Sequence, residues 1–206
     1  MIEKFILPKN LSELSKITNE NYPVDKWSGA VVLLVIEDSI LFIKRSETMP
    51  SHKGQIGMIG GHKLAAESEP TDTAFREFEE ETGIKSNMLE VMGLSHGVKT
   101  SRNKVIIPVV CKYRGTKLDF MQDAQSNGEW TDLITTRISE LKSKSYWKQG
   151  LIDKKYKVYF YSLNHFNSKC SSLNKEFNFV LWGATAKMIL LFFKKHLDSG
   201  NKPSIK

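Results

Sequence analysis

The chain predicts an α+β domain, an α/β/α layered sandwich built on a mixed β-sheet, and three observations carry that expectation. Two strand-like runs open it, "AVVLLVIED" at 30–38 and "SILFIKRS" at 39–46. A single helical segment follows from about Asp72 to Thr82, then further strand-like runs near 88–94 and 104–113. The chain then reaches a long apolar helical pattern, "FVLWGATAKMILLFFKKHL", at 179–197. Strands first, a central helix, more strands and a terminal helix describe layers packed around one core. At 206 residues the chain suffices for one domain of ordinary size with some decoration.

Each element has its local reason. Residues 11–20, "LSELSKITNE", read as a short N-terminal helix. The turn-prone Glu37-Asp38-Ser39 joins the first two strands. A polar loop at 47–55 leads into "IGMIGG". In the central helix Ala74, Phe75 and Phe78 share one side, and Gly83 stands where a C-terminal cap belongs. Pro108 has no N–H to give a ladder, so an edge position or a bulge is expected there. "DLITTRISELKSK" reads as a strand passing into a short helix, and "KVYFYSL" at 157–163 as a strand. Lysines close the last helix, which suits its dipole.

Composition narrows the class. Forty per cent apolar and 26% charged residues describe a soluble globular protein, and the run "MILLFF" at 188–193 is too short to span a bilayer. Cys111 and Cys170 allow at most one disulfide and have no metal-type spacing. No long apolar run follows Met1-Ile2-Glu3-Lys4, so a reducing cytoplasm is the expected setting. The net charge of +7 is uneven: residues 137–206 hold 14 of the 30 Lys/Arg but 4 of the 23 Asp/Glu. These lysines are scattered and no nucleic-acid motif accompanies them, so solvated side chains are expected rather than a nucleic-acid partner.

The most informative stretch is "REFEEETG", 76–83, with four glutamates in five residues. Like charges three and four apart on a helix repel. Glu77, Glu80 and Glu81 fall on one side of such a helix, whereas Glu79 turns away toward solvent. Three converging carboxylates suit a hard divalent cation such as Mg²⁺ or Mn²⁺, and Arg76 would either brace them or meet a phosphate. An acidic surface helix with one arginine is the alternative that these eight residues leave open.

Upstream residues add to the first reading. Gly61 is followed by five residues and Glu67, and then by Arg76-Glu77-Phe78-Glu79-Glu80-Glu81-Thr82-Gly83-Ile84. This resembles the Nudix hydrolases, whose signature is glycine, five residues, glutamate, seven residues, then Arg-Glu-apolar-x-Glu-Glu-x-Gly-apolar. The second half matches at every fixed position. The first half has eight residues between Glu67 and Arg76, which leaves the role of Glu67 open. "LFIKRSETMPSHKGQIGMIGG" at 41–61 resembles a segment of the coenzyme A diphosphatase branch, with Met58-Ile59 where Phe-Pro is usual. "IIPVVCKY" at 106–113 and "LWGATAKMIL" at 181–190 resemble further segments of that branch.

The resemblance implies a Nudix domain over 28–198, flanked by an N-terminal extension at 1–27 and a C-terminal tail at 199–206. It implies metal-dependent hydrolysis of a nucleoside diphosphate linked to another group. In the branch reading the substrate is coenzyme A or a derivative, cleaved to 3′,5′-ADP and 4′-phosphopantetheine. Another nucleoside diphosphate derivative (an NDP-sugar, NADH, ADP-ribose or a dinucleoside polyphosphate) and a silent ligand sensor are the alternatives. Glu77, Glu80 and Glu81 would hold Mg²⁺ or Mn²⁺ with help from a Gly61 carbonyl. Arg76 would organise the catalytic carboxylates. Glu129 in "SNGEW" is the candidate general base by its order in the chain, with Glu77 as rival. Arg45, His52, Lys53 and Gly60 would meet the substrate. Trp130 and the Tyr146-Trp147 pair are offered as adenine-stacking rings, and Trp182 and Phe179 as core. Many family members pair, so a homodimer is an expectation without an identified interface.

Overall fold

The computed structural model describes residues 27–100, 102–142, 147–152, 156–163 and 179–198. The helix expected at 11–20, the C-terminal tail, and Tyr146, His165 and Cys170 lie outside the described residues. Strand β1 (Gly29–Ile36) is a nearly unbroken apolar run because both its faces are covered. It turns through Glu37, whose φ is 53°, into the antiparallel β2 (Ser39–Arg45). Two short strands, β3 (Ile56–Gly57) and β4 (Gly60–His62), pair with β2 and with the start of β1.

Helix α1 (Pro70–Thr82) begins two residues earlier than its apolar pattern predicts. Proline loses nothing at a first turn whose N–H groups have no partner within the helix. The Asp72 carboxylate accepts from the Ser68 and Glu69 N–H groups, at 3.0 and 2.9 Å. At the other end Gly83 adopts φ 71°, and its N–H donates to the Glu79 carbonyl. A left-handed residue there stops the helix cheaply only as glycine.

Beyond the cap come a short 3-10 turn (Ser86–Met88), β5 (Leu89–Leu94), β6 (Val98–Lys99) and β7 (Val105–Tyr113). β7 runs parallel to β1 on one side and antiparallel to β5 and β6 on the other. Pro108 is therefore not on an edge strand. Its carbonyl accepts from the Ser95 N–H, so its nitrogen faces the gap where β5 has ended and β6 has not begun. The missing donor falls where no ladder bond is due. Helix α2 (Lys117–Asp123), β8 (Trp130–Arg137) and α3 (Ile138–Leu141) follow, β8 pairing along β2. A three-stranded sheet of β9 (Trp147–Ile152), β10 (Tyr156–Leu163) and β11 (Phe179–Leu181) precedes α4 (Gly183–Asp198). The helix expected from 179 thus starts later, because Phe179–Leu181 pair with β10 instead.

Alternation along the strands divides the core into two layers. Val32, Leu34, Leu41 and Ile43 meet Ala74 and Phe78 of α1 and Phe120 of α2. Leu33, Val35, Ile40 and Phe42 meet Leu141 and the Ala186, Ile189 and Phe192 face of α4. This is the α/β/α sandwich on a mixed sheet that the order of elements predicts. Phe78 is fully buried, and truncating it to alanine would cost about 3–5 kcal/mol. That packing holds the carboxylate face of α1 against the β4 loop. Among the described residues no helix is long and apolar enough to cross a membrane. Cys111 is buried with a free thiol, which burial pushes up to about 12.

Candidate active site

The charged face of α1 meets the Gly60-Gly61 end of β4, and the four side chains at the junction are treated very differently. Arg76 is the hub of one half. Its Nε donates to Glu67 Oε1 at 2.8 Å and its Nη2 to the His62 carbonyl at 3.0 Å. Its Nη1 pairs with Glu77 at 2.8 Å and with Glu80 at 2.9 Å. A planar five-donor fork is the side chain suited to gather acceptors in this way.

Glu67 has a clear place despite the extra residue before Arg76. Its second oxygen accepts from the Leu64 N–H at 2.7 Å and from the Thr73 hydroxyl. Burial works against its charge, but these donors and Arg76 outweigh it and hold the carboxyl below its usual range. The Glu67–Arg76 contact therefore forms across the eight residues that separate the two in sequence.

Glu81 sits in the opposite condition. The residue is 0% exposed. Its Oε1 accepts the Gly60 N–H at 2.9 Å, while Oε2 is buried without a hydrogen-bond partner. Desolvation pushes its carboxyl up to about 8, against the Gly60 hydrogen bond, and the charges of Glu129 and Glu77 add to the rise. Glu77 is also raised, first by burial, with Arg76 opposing and Glu80 and Glu129 reinforcing. Gly61 makes room for this group, since a Cβ at Gly61 would collide with the Glu77 carboxylate. Glu80 lies at the rim, its side chain 54% exposed.

The expected convergence of three carboxylates is only partly realised. Among the described residues no three His, Cys, Asp or Glu side chains gather into a metal-holding set. The reason is Arg76, which draws Glu77 and Glu80 onto its guanidinium, while Glu81 bends inward to the Gly60 N–H. Glu79 does turn away as expected, yet it is not simply solvated. It accepts from the Ser86 N–H and hydroxyl, each at 2.8 Å, and pairs with Lys85. The Ser86 bonds lead in lowering it to about 2.

Glu129 lies in the loop just before β8, the strand that pairs along β2. The Ser46 N–H donates to its carbonyl, and its carboxylate lies 4.0 Å from Arg45 Nη2. Its charge acts on both Glu77 and Glu81. Arg45, whose Nε is buried without a partner, therefore stands beside the same carboxylates. His52 and Lys53 are exposed in the loop between β2 and β3. His52 bonds Gln55 at 3.1 Å, and no hydrogen bond or ion pair joins either residue to the cluster.

Of the expected stacking rings, Trp130 and Trp147 are not presented, and Tyr146 lies outside the described residues. Trp130 is buried against the α1 layer and its indole N–H donates to the Glu81 carbonyl at 2.7 Å. Trp147 is buried and donates to the Leu141 carbonyl. Trp182 is half-buried, and the Phe179 side chain is not among those described. Sequence reasoning missed Thr73 and the Trp130–Glu81 bond. The first had a signal, a hydroxyl one helical turn before Glu77, and the second had only its adjacency to Glu129.

The carboxylate donors on one face of α1 and the orphaned Glu81 Oε2 suit a hard cation. Comparisons with known proteins agree with the family that this arrangement suggests. The family model for the NUDIX domain matches residues 26–145. The uncharacterized Nudix hydrolase NudL of Photorhabdus laumondii is 26% identical over 167 residues, covering 78% of this chain and 80% of that protein. Nudix hydrolase 3 of Caenorhabditis elegans is 28% identical over 116 residues, 52% of this chain and 47% of its own length. Among solved structures, a C. elegans Ap4A hydrolase binary complex covers 54% of this chain and 80% of its own, with 15% identity and a TM-score of 0.45. With more than half of its length matched by the family model, the chain belongs to the Nudix family.

Proposed function

We propose that the protein hydrolyses a nucleoside diphosphate derivative at its diphosphate, using Glu77, Glu80 and Glu81 of α1 to hold Mg²⁺ or Mn²⁺ and Glu129 as general base. The observation that carries this is Glu81. A carboxylate buried with one oxygen unpartnered costs the fold several kcal/mol if it is ionised, and a chain keeps such a group where a charged partner uses it. What a divalent cation supplies there is neutralising charge for the diphosphate and a lowered pKa for water.

The remaining work belongs to the chain's own side chains. Gly61 lets the backbone approach the carboxylates, and its carbonyl would complete their donor set. Arg76 fixes Glu77 and Glu80 and is itself fixed by Glu67. Glu129, 36% exposed, keeps access to a water and would take its proton as the water oxygen attacks phosphorus. The P–O–P bond then breaks and the leaving phosphate departs with the bridging oxygen. Arg45, 4.0 Å from Glu129, would meet a phosphate oxygen with its guanidinium, and Gly60 would present backbone to the substrate. Roles for His52 and Lys53 rest on their cationic or polar character in the neighbouring loop.

Among substrates, the broad class of nucleoside diphosphate derivatives is the reading the family supports. The Ap4A hydrolase above acts, by its name, on a dinucleoside polyphosphate. Coenzyme A is the narrower candidate, supported by the likeness of residues 41–61, 106–113 and 181–190 to the coenzyme A diphosphatase branch. A panel of CoA, dephospho-CoA, NADH, ADP-ribose, UDP-glucose and Ap4A, with Mg²⁺, Mn²⁺ or EDTA and products weighed by mass, tests both. Cleavage within a diphosphate that stops in EDTA is expected. Turnover undiminished by EDTA would sink the metal reading, and no turnover on any member would favour a ligand sensor.

A further inference from the structure

Trp130 does something for the site that neither its neighbours' roles nor the family signature assigns. The last carbonyls of any helix have no partner within it. In α1 two of them are claimed by the segment that carries Glu129. The Glu81 carbonyl accepts the Trp130 indole N–H at 2.7 Å, and the Thr82 carbonyl accepts the Gln125 N–H at 2.8 Å. The loop between these anchors is closed on itself: the Ser126 hydroxyl donates to the Trp130 carbonyl at 2.6 Å and accepts the Gly128 N–H at 3.1 Å.

The strand register supplies an independent reason to see a built feature. Lys44 pairs with Asp132 and Arg45 with Trp130, so Thr131 is an extra residue in β8. Leu133 faces the α1 layer and Ile134 the α4 layer. By simple alternation Trp130, an odd number of residues from Leu133, would face α4. The bulge at Thr131 reverses that and delivers the indole to α1. Its ring is buried there beside Phe78 and Phe120 in the same apolar layer.

Resting on the assignment of Glu129 as the base, we infer that Trp130 is a positioning residue: its indole N–H ties the base-bearing loop to the backbone of the carboxylate helix and fixes the distance between Glu129 and Glu81. The Gly60 N–H meets the Glu81 carboxylate and the indole meets the Glu81 carbonyl, so cation binding and the placement of the base rest on separate bonds.

The test is Trp130→Phe, which keeps an aromatic ring and removes the donor, with Ser126→Ala as a milder second variant that loosens the same loop outside the core. Both are compared with wild type and with Glu129→Gln for kcat, KM and Mn²⁺ affinity, the latter measured without substrate. Expected for Trp130→Phe is a fall in kcat of about tenfold or more, with KM and Mn²⁺ affinity within about twofold of wild type. Ser126→Ala should fall in the same direction by less. In the Glu129→Gln background Trp130→Phe should cost nothing further in kcat, because the group it places is already gone.

A Trp130→Phe protein that melts lower but turns over at the wild-type rate would overturn the inference, as would equal losses in both backgrounds. If Trp130→Phe does not fold, an unchanged kcat in Ser126→Ala overturns it. A Glu129→Gln protein with full activity would remove the base assignment, and the inference with it. Full loss in Glu129→Gln beside an unaffected Trp130→Phe would leave the base standing and refute the positioning role alone.

Discussion

The two halves of the α1 carboxylate face answer the same electrostatic problem in opposite ways. Around Arg76, three glutamates and a backbone carbonyl share one guanidinium, so part of the like charge is countered inside the protein. One turn later Glu81 is buried with a single N–H donor and an idle oxygen. The first arrangement satisfies its polar groups within the protein, and the second leaves a buried acceptor unsatisfied. The contrast sets Arg76 and Glu67, which brace the face, apart from Glu81, and mutations at these residues should divide along the same line.

Glu81→Gln should show the largest effect. The amide keeps the volume and an oxygen for the Gly60 N–H but loses the charge, so turnover should fall by more than about a hundredfold. The metal-free variant should melt no lower than wild type, since it relieves a buried acid. A melting loss of many degrees with activity retained would reverse the assignment.

Arg76→Ala should show the complementary pattern. It strands Glu67 and Glu77, and breaking a largely buried charge set costs about 2–4 kcal/mol, read as a lower denaturant midpoint. Arg76→Lys should recover little of this, because an ammonium cannot span the same four acceptors. Full recovery by lysine would argue that only the charge matters.

The pH dependence of the metal-free protein has a definite sign. Glu81 titrates at about 8 when folded, against an ordinary value of 4.5. The folded state therefore binds the extra proton between those values, so this group's contribution to stability is full below about 4.5 and is lost as pH rises through 8. Melting temperature across pH 5–9 should decline more steeply in wild type than in Glu81→Gln. Parallel curves would show that the buried acid is not the cause.

The smallest effect belongs to Glu79. Glu79→Gln weakens the bonds to Ser86 and the Lys85 pair, costing about 0.5–1 kcal/mol with turnover unchanged. Its folded value is depressed to about 2, so its stabilising contribution is present at neutral pH and fades as pH falls toward 2. Lost turnover in that variant would move Glu79 into the reactive group.

What could be read in advance follows the range of the forces involved. β1, β2 and α1 were legible because apolar period, turn residues and caps act over a few positions, and the signature residues of α1 lie on one helix. Pro108 misled because its missing donor is accommodated by a break in a partner strand that sequence spacing does not reveal. Helix α2 carries a capping pair, Thr116 and Asp119, that a closer reading of its start would have found. The Trp130 bond depends on a one-residue bulge and two segments 49 positions apart, so no local pattern announces it. The convergence of Glu77, Glu80 and Glu81 was inferred from helical spacing alone, which gives a shared face but not the competing pull of Arg76.

Calorimetric titration of Mn²⁺ into the metal-free protein, wild type beside Glu81→Gln, at pH 7 and pH 9, bears most directly on the claim that Glu81 is buried to serve a cation. Wild type should bind, more tightly at pH 9 where the competing proton has left, and should release protons at pH 7; the variant should bind weakly at both. Equal affinity in the two proteins, unaltered by pH, would mean that this buried carboxylate has no part in holding metal.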